Sequence, residues 1–127
     1  MDWVKSAKAK GISSIDLDRL SSLAEFDDGG DSEPLVVSVI KMYLELSPSQ
    51  VETIQKLARE KKAEELSDAA HALKSSSANL GAKKLAEICQ NLEDQAGDAS
   101  QLVSDLAQEF SKVCSDLETI KQLFGPA

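Results

Sequence analysis

Apolar positions recur along most of this chain at intervals of three and four residues, the spacing that lines one face of an α-helix. The clearest stripe runs through Leu66, Ala69, Ala70, Leu73, Ser76, Ser77 and Leu80. An earlier one passes Leu35, Val36, Val39, Ile40, Tyr43 and Leu44, then continues through Val51, Ile54, Leu57 and Ala58. After Leu80, a third carries Leu85, Ile88, Leu92 and Gln95, and a fourth runs from Leu102 through Leu106, Phe110, Val113, Leu117 and Ile120 to Phe124. A shorter run, Ile15, Leu17, Leu20, Leu23 and Phe26, stands ahead of them all. No strand-period alternation competes with these helices.

Helix starts and stops divide the pattern. The Asp/Gly cluster at 27–31 interrupts it, Ser32 is expected to cap the next helix, and Pro34 is tolerated in its first turn. At Ser47-Pro48-Ser49-Gln50 a second start appears, with Ser47 as cap and Gln50 completing a capping box. Two helices, or one long helix bent at Pro48, fit this segment. The cations of Arg59–Lys62 suit a helix end near residue 61. The following helix is expected over about 63–79, with Gly81 as its left-handed stop. The next ends at Gly97, Asp98 and Gln101 resemble a cap for the last helix, and Gly125-Pro126-Ala127 closes it. Short turns near 62, 81 and 98 predict antiparallel neighbours. The expected fold is therefore all-α: an up-down-up-down four-helix bundle over 14–127 with a short N-terminal helix at one end. Residues 1–13 are expected to form a flexible arm.

Composition narrows the chemistry. With 127 residues and 42% hydrophobic but only 4% aromatic side chains, the chain suits one aliphatic core. A net charge of -8 argues against a nucleic-acid-binding face. No apolar run reaches the roughly 20 residues that span a bilayer, and none resembles a signal peptide, so no membrane insertion and a cytoplasmic location are expected. Cys89 and Cys114 read as core or boundary residues. With a single histidine beside them they make an unpromising metal set, so no metal site is expected.

That histidine, His71, lies about 140° from the centre of the core stripe on its helix, and so is predicted to face solvent. Ser67, Ser75 and Ala78 share its face and are small, which leaves the ring on a nearly flat patch. Lys74 is the one long cation beside it. Between Asp68 and Glu87 there is no acidic residue, whereas Lys74, Lys83 and Lys84 are present. This local reversal of sign favours a phosphoryl group on the imidazole, since ammonium groups bind phosphate as point charges. Neutral imidazole is a competent nucleophile near pH 7, and the P–N bond it forms is labile enough to pass its phosphoryl group to a carboxylate. No P-loop or Gly-rich nucleotide loop is present, so no kinase activity of its own and no cofactor are expected. The metal ion for transfer, Mg, would belong to the partner. The plainer alternative is a solvated, inert histidine on a structural or adaptor bundle.

The segment Ala70–Glu93, AHALKSSSANLGAKKLAEICQNLE, resembles the histidine-containing phosphotransfer (HPt) domain family. Ala70, His71, Leu73, Lys74, Ser76, Leu80 and Gly81 stand in register with the family pattern, and Leu92 and Glu93 close it. Weaker similarity extends over about 14–123. The resemblance implies the same bundle, His71 as phospho-acceptor, Lys74 as the residue that helps hold the phosphoryl group, and Gly81 at the turn. It implies receiver domains of response regulators and a hybrid sensor histidine kinase as partners, with the chain freestanding or one domain of such a kinase; a carrier with a single exposed site can work as a monomer, which is the expected state. Ile15, Leu17, Leu20 and Met42 are the candidate docking residues. One departure stands beside the site: Ser75 occupies the position where the family usually has Gly, and the small hydroxyl is expected to be tolerated there.

Overall fold

The predicted helices form, and their buried faces are the ones the spacing marks. The computed structural model describes residues 3–23, 33–95 and 97–124, and every regular element among them is helical. In chain order these are α1 (Trp3–Ala9), α2 (Leu17–Ser21), α3 (Leu35–Arg59), α4 (Ala63–Asn79), α5 (Lys83–Glu93) and α6 (Ala99–Gln122). α3 and α5 each pack against both α4 and α6, so the four longer helices close a ring. Its interior is aliphatic: Ile40, Ile54, Leu73, Leu85, Leu92, Leu106, Leu117 and Ile120 are fully buried. One polar pair crosses this core, the Tyr43 hydroxyl and Ser77 Oγ at 2.8 Å, which satisfies both groups and ties α3 to α4.

α3 runs unbroken through Pro48. Proline lacks the N–H that would bond the carbonyl of Leu44. One turn of helix is reinforced beside it, where the buried Ser47 hydroxyl donates to the Tyr43 carbonyl. Ser47 is thus an interior residue, not the cap its position suggests.

Each turn of the ring is closed by a residue in the left-handed region. Between α3 and α4 that residue is Lys61 (φ 57), with the Lys62 N–H donating to the Leu57 carbonyl at 3.0 Å. α5 ends at Glu93, and Gln95 (φ 55) takes the same role. The expected helix to Gly97, with Gln95 on its apolar face, is therefore about one turn too generous: Gln95 is exposed and bonds the Ala63 carbonyl at 3.3 Å. Asp98 caps α6, its carboxylate accepting from the backbone of Ser100 and Gln101. Gln101 does not return the bond, and reaches Asp105 instead.

The N-terminal segment departs most from expectation. Residues 3–9, expected as part of a flexible arm, form α1, which buries Trp3 and Ala7. Trp3 stacks at a tilt on Phe124, with ring centroids 5.4 Å apart. The i, i+4 spacing of Trp3 and Ala7 was the available signal, and aromatic burial accounts for the docking. Behind it, the Ser14 N–H and hydroxyl both donate to Asp116 of α6, at 3.0 and 2.6 Å. Asp16 then caps α2 and donates its own N–H to the Gly81 carbonyl at 2.7 Å. Phe26, the 27–31 cluster, the Ser32 cap and the terminal Gly-Pro-Ala lie outside the described residues.

Gly81 is constrained twice. Its φ of 85° suits glycine, and a Cβ there would stand 2.6 Å from the Asp16 carbonyl oxygen, a backbone atom that cannot yield cheaply. Gly81→Ala is therefore expected to lower the unfolding free energy by about 2–4 kcal/mol, from left-handed strain and overpacking together. A urea midpoint unchanged from the parent would contradict the close approach of the N-terminal segment.

Candidate functional site

Burial of Leu66, Ala70, Leu73, Ser77 and Leu80 sets the rotation of α4 about its axis. With those side chains inward, His71 turns outward, and its side chain is 61% exposed. The ring is nevertheless held. His71 Nδ1 lies 2.8 Å from Oε1 of Glu93, near the end of α5. The other carboxylate oxygen of Glu93 accepts from Lys74 Nζ at 2.7 Å. Lys74 also donates to Gln90 Oε1 at 2.8 Å, and Gln90 in turn donates to Asp94 at 2.9 Å. The Ser67 hydroxyl donates to the Glu93 carbonyl at 2.9 Å and pins the end of α5 against α4.

The charge state of Glu93 decides the chemistry of the ring. The Lys74 ammonium holds its carboxyl below the usual carboxylate range, the bond to His71 acts in the same direction, and partial burial opposes both. An ionised carboxylate can only accept, so Nδ1 must carry the proton of the neutral ring. The lone pair then belongs to Nε2. A hydrogen-bonded carboxylate behind one nitrogen is a standard means of fixing a tautomer and an orientation.

Of the residues singled out in the sequence, the structure brings His71, Lys74 and Ser67 together, with Glu93 as their common partner. Lys74 differs from expectation in its setting. Its side chain is 24% exposed and engaged in two bonds, not free in solvent. Ser75 is exposed, and its hydroxyl donates back to the His71 carbonyl at 3.2 Å, which keeps it on its own helix. Ala78 is exposed and lines a shallow, open depression between α4 and α5 with Lys74, Ser75 and Gln90. Gly81 makes the turn, at a distance from the ring set by more than two turns of helix. Lys84 does not join the site: its ammonium pairs with Glu109 of α6 at 3.9 Å, while Lys83 pairs with Asp16 at 2.7 Å. The reversal of sign seen in the sequence is thus divided among separate partners.

Three of the four proposed docking residues are corrected. Ile15, Leu17 and Leu20 are buried in the core and present no surface to a partner. Met42 is 62% exposed, as a docking residue requires, and Leu46, one turn on, is 56% exposed. Together they border an apolar groove between α3 and α4 that also touches Ser76 and Asn79. Asn79 lines this groove and the depression on the other flank of α4, so the two surfaces are continuous.

Glu93 and Gln90 are the site residues that the sequence reading missed. A signal existed. The pairs His71–Glu93 and Lys74–Gln90 are both centred on Ala82, the register a tight helical hairpin imposes on its two arms. The cysteines stay apart from the chemistry, and burial pushes the Cys89 thiol up to about 12. Among the described residues, no three His, Cys, Asp or Glu side chains gather as a metal-ion set.

Residues 38–123 match the family model of the Hpt domain. The crystal structure of a histidine-containing phosphotransfer protein from maize aligns with a TM-score of 0.73, at 21% identity, over 95% of each chain, a likeness of fold. None of the curated proteins matches the sequence.

The depressed Glu93 carboxyl has a consequence for stability. Its ionised form is favoured by the fold, so the stability it contributes is complete above the ordinary value of 4.5 and fades as pH falls through the lower folded value. Glu93→Gln should therefore lower the urea midpoint most near neutral pH. The gap from the parent should narrow steadily below pH 4.5. A gap that stays constant with pH would mean that Glu93 acts through packing alone.

Proposed function

The chain belongs to the Hpt domain family, and from that membership we propose that it is a histidine phosphocarrier of a two-component phosphorelay, with His71 as the residue that accepts and donates the phosphoryl group. The observation that carries this reading is an exposed imidazole whose Nδ1 is held by Glu93, so that Nε2 is left as the nucleophile. Nε2 attacks the phosphorus of an aspartyl phosphate on a receiver domain, the acyl P–O bond breaks, and its electron pair returns to the aspartate. The reverse sequence delivers the group to a second receiver. Such transfers rest on positioning and charge neutralisation, and Mg on the receiver would share the second task with Lys74.

Two of the three N–H donors of Lys74 are engaged on α5 by Glu93 and Gln90, which leaves the third for a phosphoryl group on the ring. Ser75 and Ala78 keep the approach low. The groove beside Met42 and Leu46 is the surface on which a receiver would seat its apolar helix face. A donor kinase of the hybrid type, a monomeric carrier, a cytoplasmic location and an up-down-up-down order of the four ringed helices complete the reading. Among the described residues no helix is long and apolar enough to cross a membrane. The alternative, an adaptor bundle with an inert histidine, would draw support from Ser75, yet that hydroxyl is occupied by its own helix.

Incubation with a phosphorylated receiver tests the choice. Label that is acid-labile and base-stable should appear on the chain and vanish in His71→Gln; a chain that takes no label from any aspartyl-phosphate donor would favour the adaptor. Lys74→Ala should slow transfer about 10- to 100-fold, the scale of one charge-assisted hydrogen bond, while helical circular dichroism is kept. For Ser75→Gly, transfer should be equal or faster, and a marked slowing would assign the hydroxyl a part in it.

A further inference from the structure

We propose that the end of the bundle where α3 stops and α6 starts carries a binding site for a small anionic amphiphile, a medium-chain carboxylate whose alkyl tail lies between the helix ends and whose head group meets Lys61. The proposal is independent of the phosphocarrier reading, and its residues take no part in the chemistry at His71.

Four helix termini come together at this end. α3 ends at Arg59, α4 begins at Ala63, α5 ends at Glu93 and α6 begins at Ala99. They do not close on one another. A cleft of about 350 Å³ remains between them, the size of a modest small-molecule site and in a place where bundles commonly offer one. Leu66 and Leu92, both buried in the core, form its floor, and the half-buried Leu102 stands at its side. Ala58 and Ala63 leave the mouth open, because their side chains are too short to cover it. Past Ala58 the cleft runs into a second hollow between α3 and α6, lined by Arg59 and Val103. Ala58 borders both, so the two form one apolar trough.

The charge around the trough runs against that of the chain. The protein carries a net charge of -8 and has 22 acidic residues. None of the residues lining either hollow is acidic, whereas Lys61 and Arg59 both border it. Lys62 next to them pairs with Glu60 at 3.5 Å, but Lys61 and Arg59 have no carboxylate partner among the described residues. The dipole of α3 accounts for cations at this helix end. It does not account for an apolar cleft beside them. An alkyl tail would remove that lining from water, and a carboxylate would supply the anion that Lys61 lacks. A neutral ligand would leave the cations unused, and a cationic one would be repelled. The trough is also separate from the surface offered to a receiver. It lies at the Ala63 end of α4, and the groove beside Met42 lies at the Leu80 end.

An NMR titration of the full chain with hexanoate, octanoate and decanoate, each kept below its micelle concentration, tests the proposal. The backbone amides of Ala63, Leu66, Leu92 and Leu102 should shift together. Affinity should rise about fourfold with each added CH2 as the tail takes up the trough. Decyltrimethylammonium, which has the same tail and the opposite charge, should bind about tenfold more weakly than decanoate. Lys61→Glu, at an exposed position, should weaken decanoate to a similar extent while helical circular dichroism is kept. Ala58→Leu, which narrows the junction of the two hollows, should abolish the gain from octanoate to decanoate. Equal binding of the two head groups, no dependence on tail length, or shifts centred on Met42 and Leu46 would each overturn the proposal. If the same amides shift when the ligand-free protein is diluted, the trough belongs to a second copy of the chain and the proposal falls as well.

Discussion

The rotation of α4 about its own axis is the constraint on which the rest of the site depends. Five inward side chains, Leu66 to Leu80, are buried against α3, α5 and the core, and they leave one orientation for the opposite face. Each fully buried leucine contributes about 1.5–3 kcal/mol by removing apolar surface from water, so a slip by one residue is not an accessible alternative. His71 is outward because its neighbours are inward. The same rotation points Ser67, Lys74 and Ala78 along the seam with α5.

That seam turns an exposed residue into an ordered one. A surface imidazole would ordinarily sample both tautomers and several rotamers. Here the hairpin through Gly81 brings the end of α5 back beside α4, and Glu93 meets Nδ1 at hydrogen-bond distance. Much of the turn's fidelity comes from outside the four-helix ring. Asp16 approaches Gly81 so closely that no side chain fits there, and Asp116 secures the serines just before it. The N-terminal segment is thus part of the scaffold of the site, although it touches none of the reacting atoms.

Charge is distributed with the same economy. Lys83 and Lys84, which look in the sequence like a reserve of positive charge for a phosphoryl group, pair with Asp16 and Glu109 and stabilise the edges of α5. Only Lys74 stays near the imidazole, and it is held by Glu93 and Gln90 until something more strongly anionic arrives. An acidic protein thereby keeps one local cation next to its nucleophile without a broad basic surface.

Much of this was legible in the amino-acid order. Helical periodicity marks the buried faces of α3 to α6, since a 3.6-residue repeat leaves little freedom in what a helix buries. It also predicts the outward His71, the Gly81 stop and the Asp98 cap, each a local property of a few residues. The N-terminal segment was harder to read because α1 and α2 are too short for periodicity to separate docking from exposure. Ile15, Leu17 and Leu20 could have been surface or core, and only packing against the bundle decided for the core. The turns near 62 and 98 were foreseen, but not the residues that make them, because non-glycine Lys61 and Gln95 carry the left-handed conformation there. Above all, the sequence identified the nucleophile but not its partner. Glu93 stands 22 residues beyond His71, and a contact at that separation exists only once two helices have chosen their register.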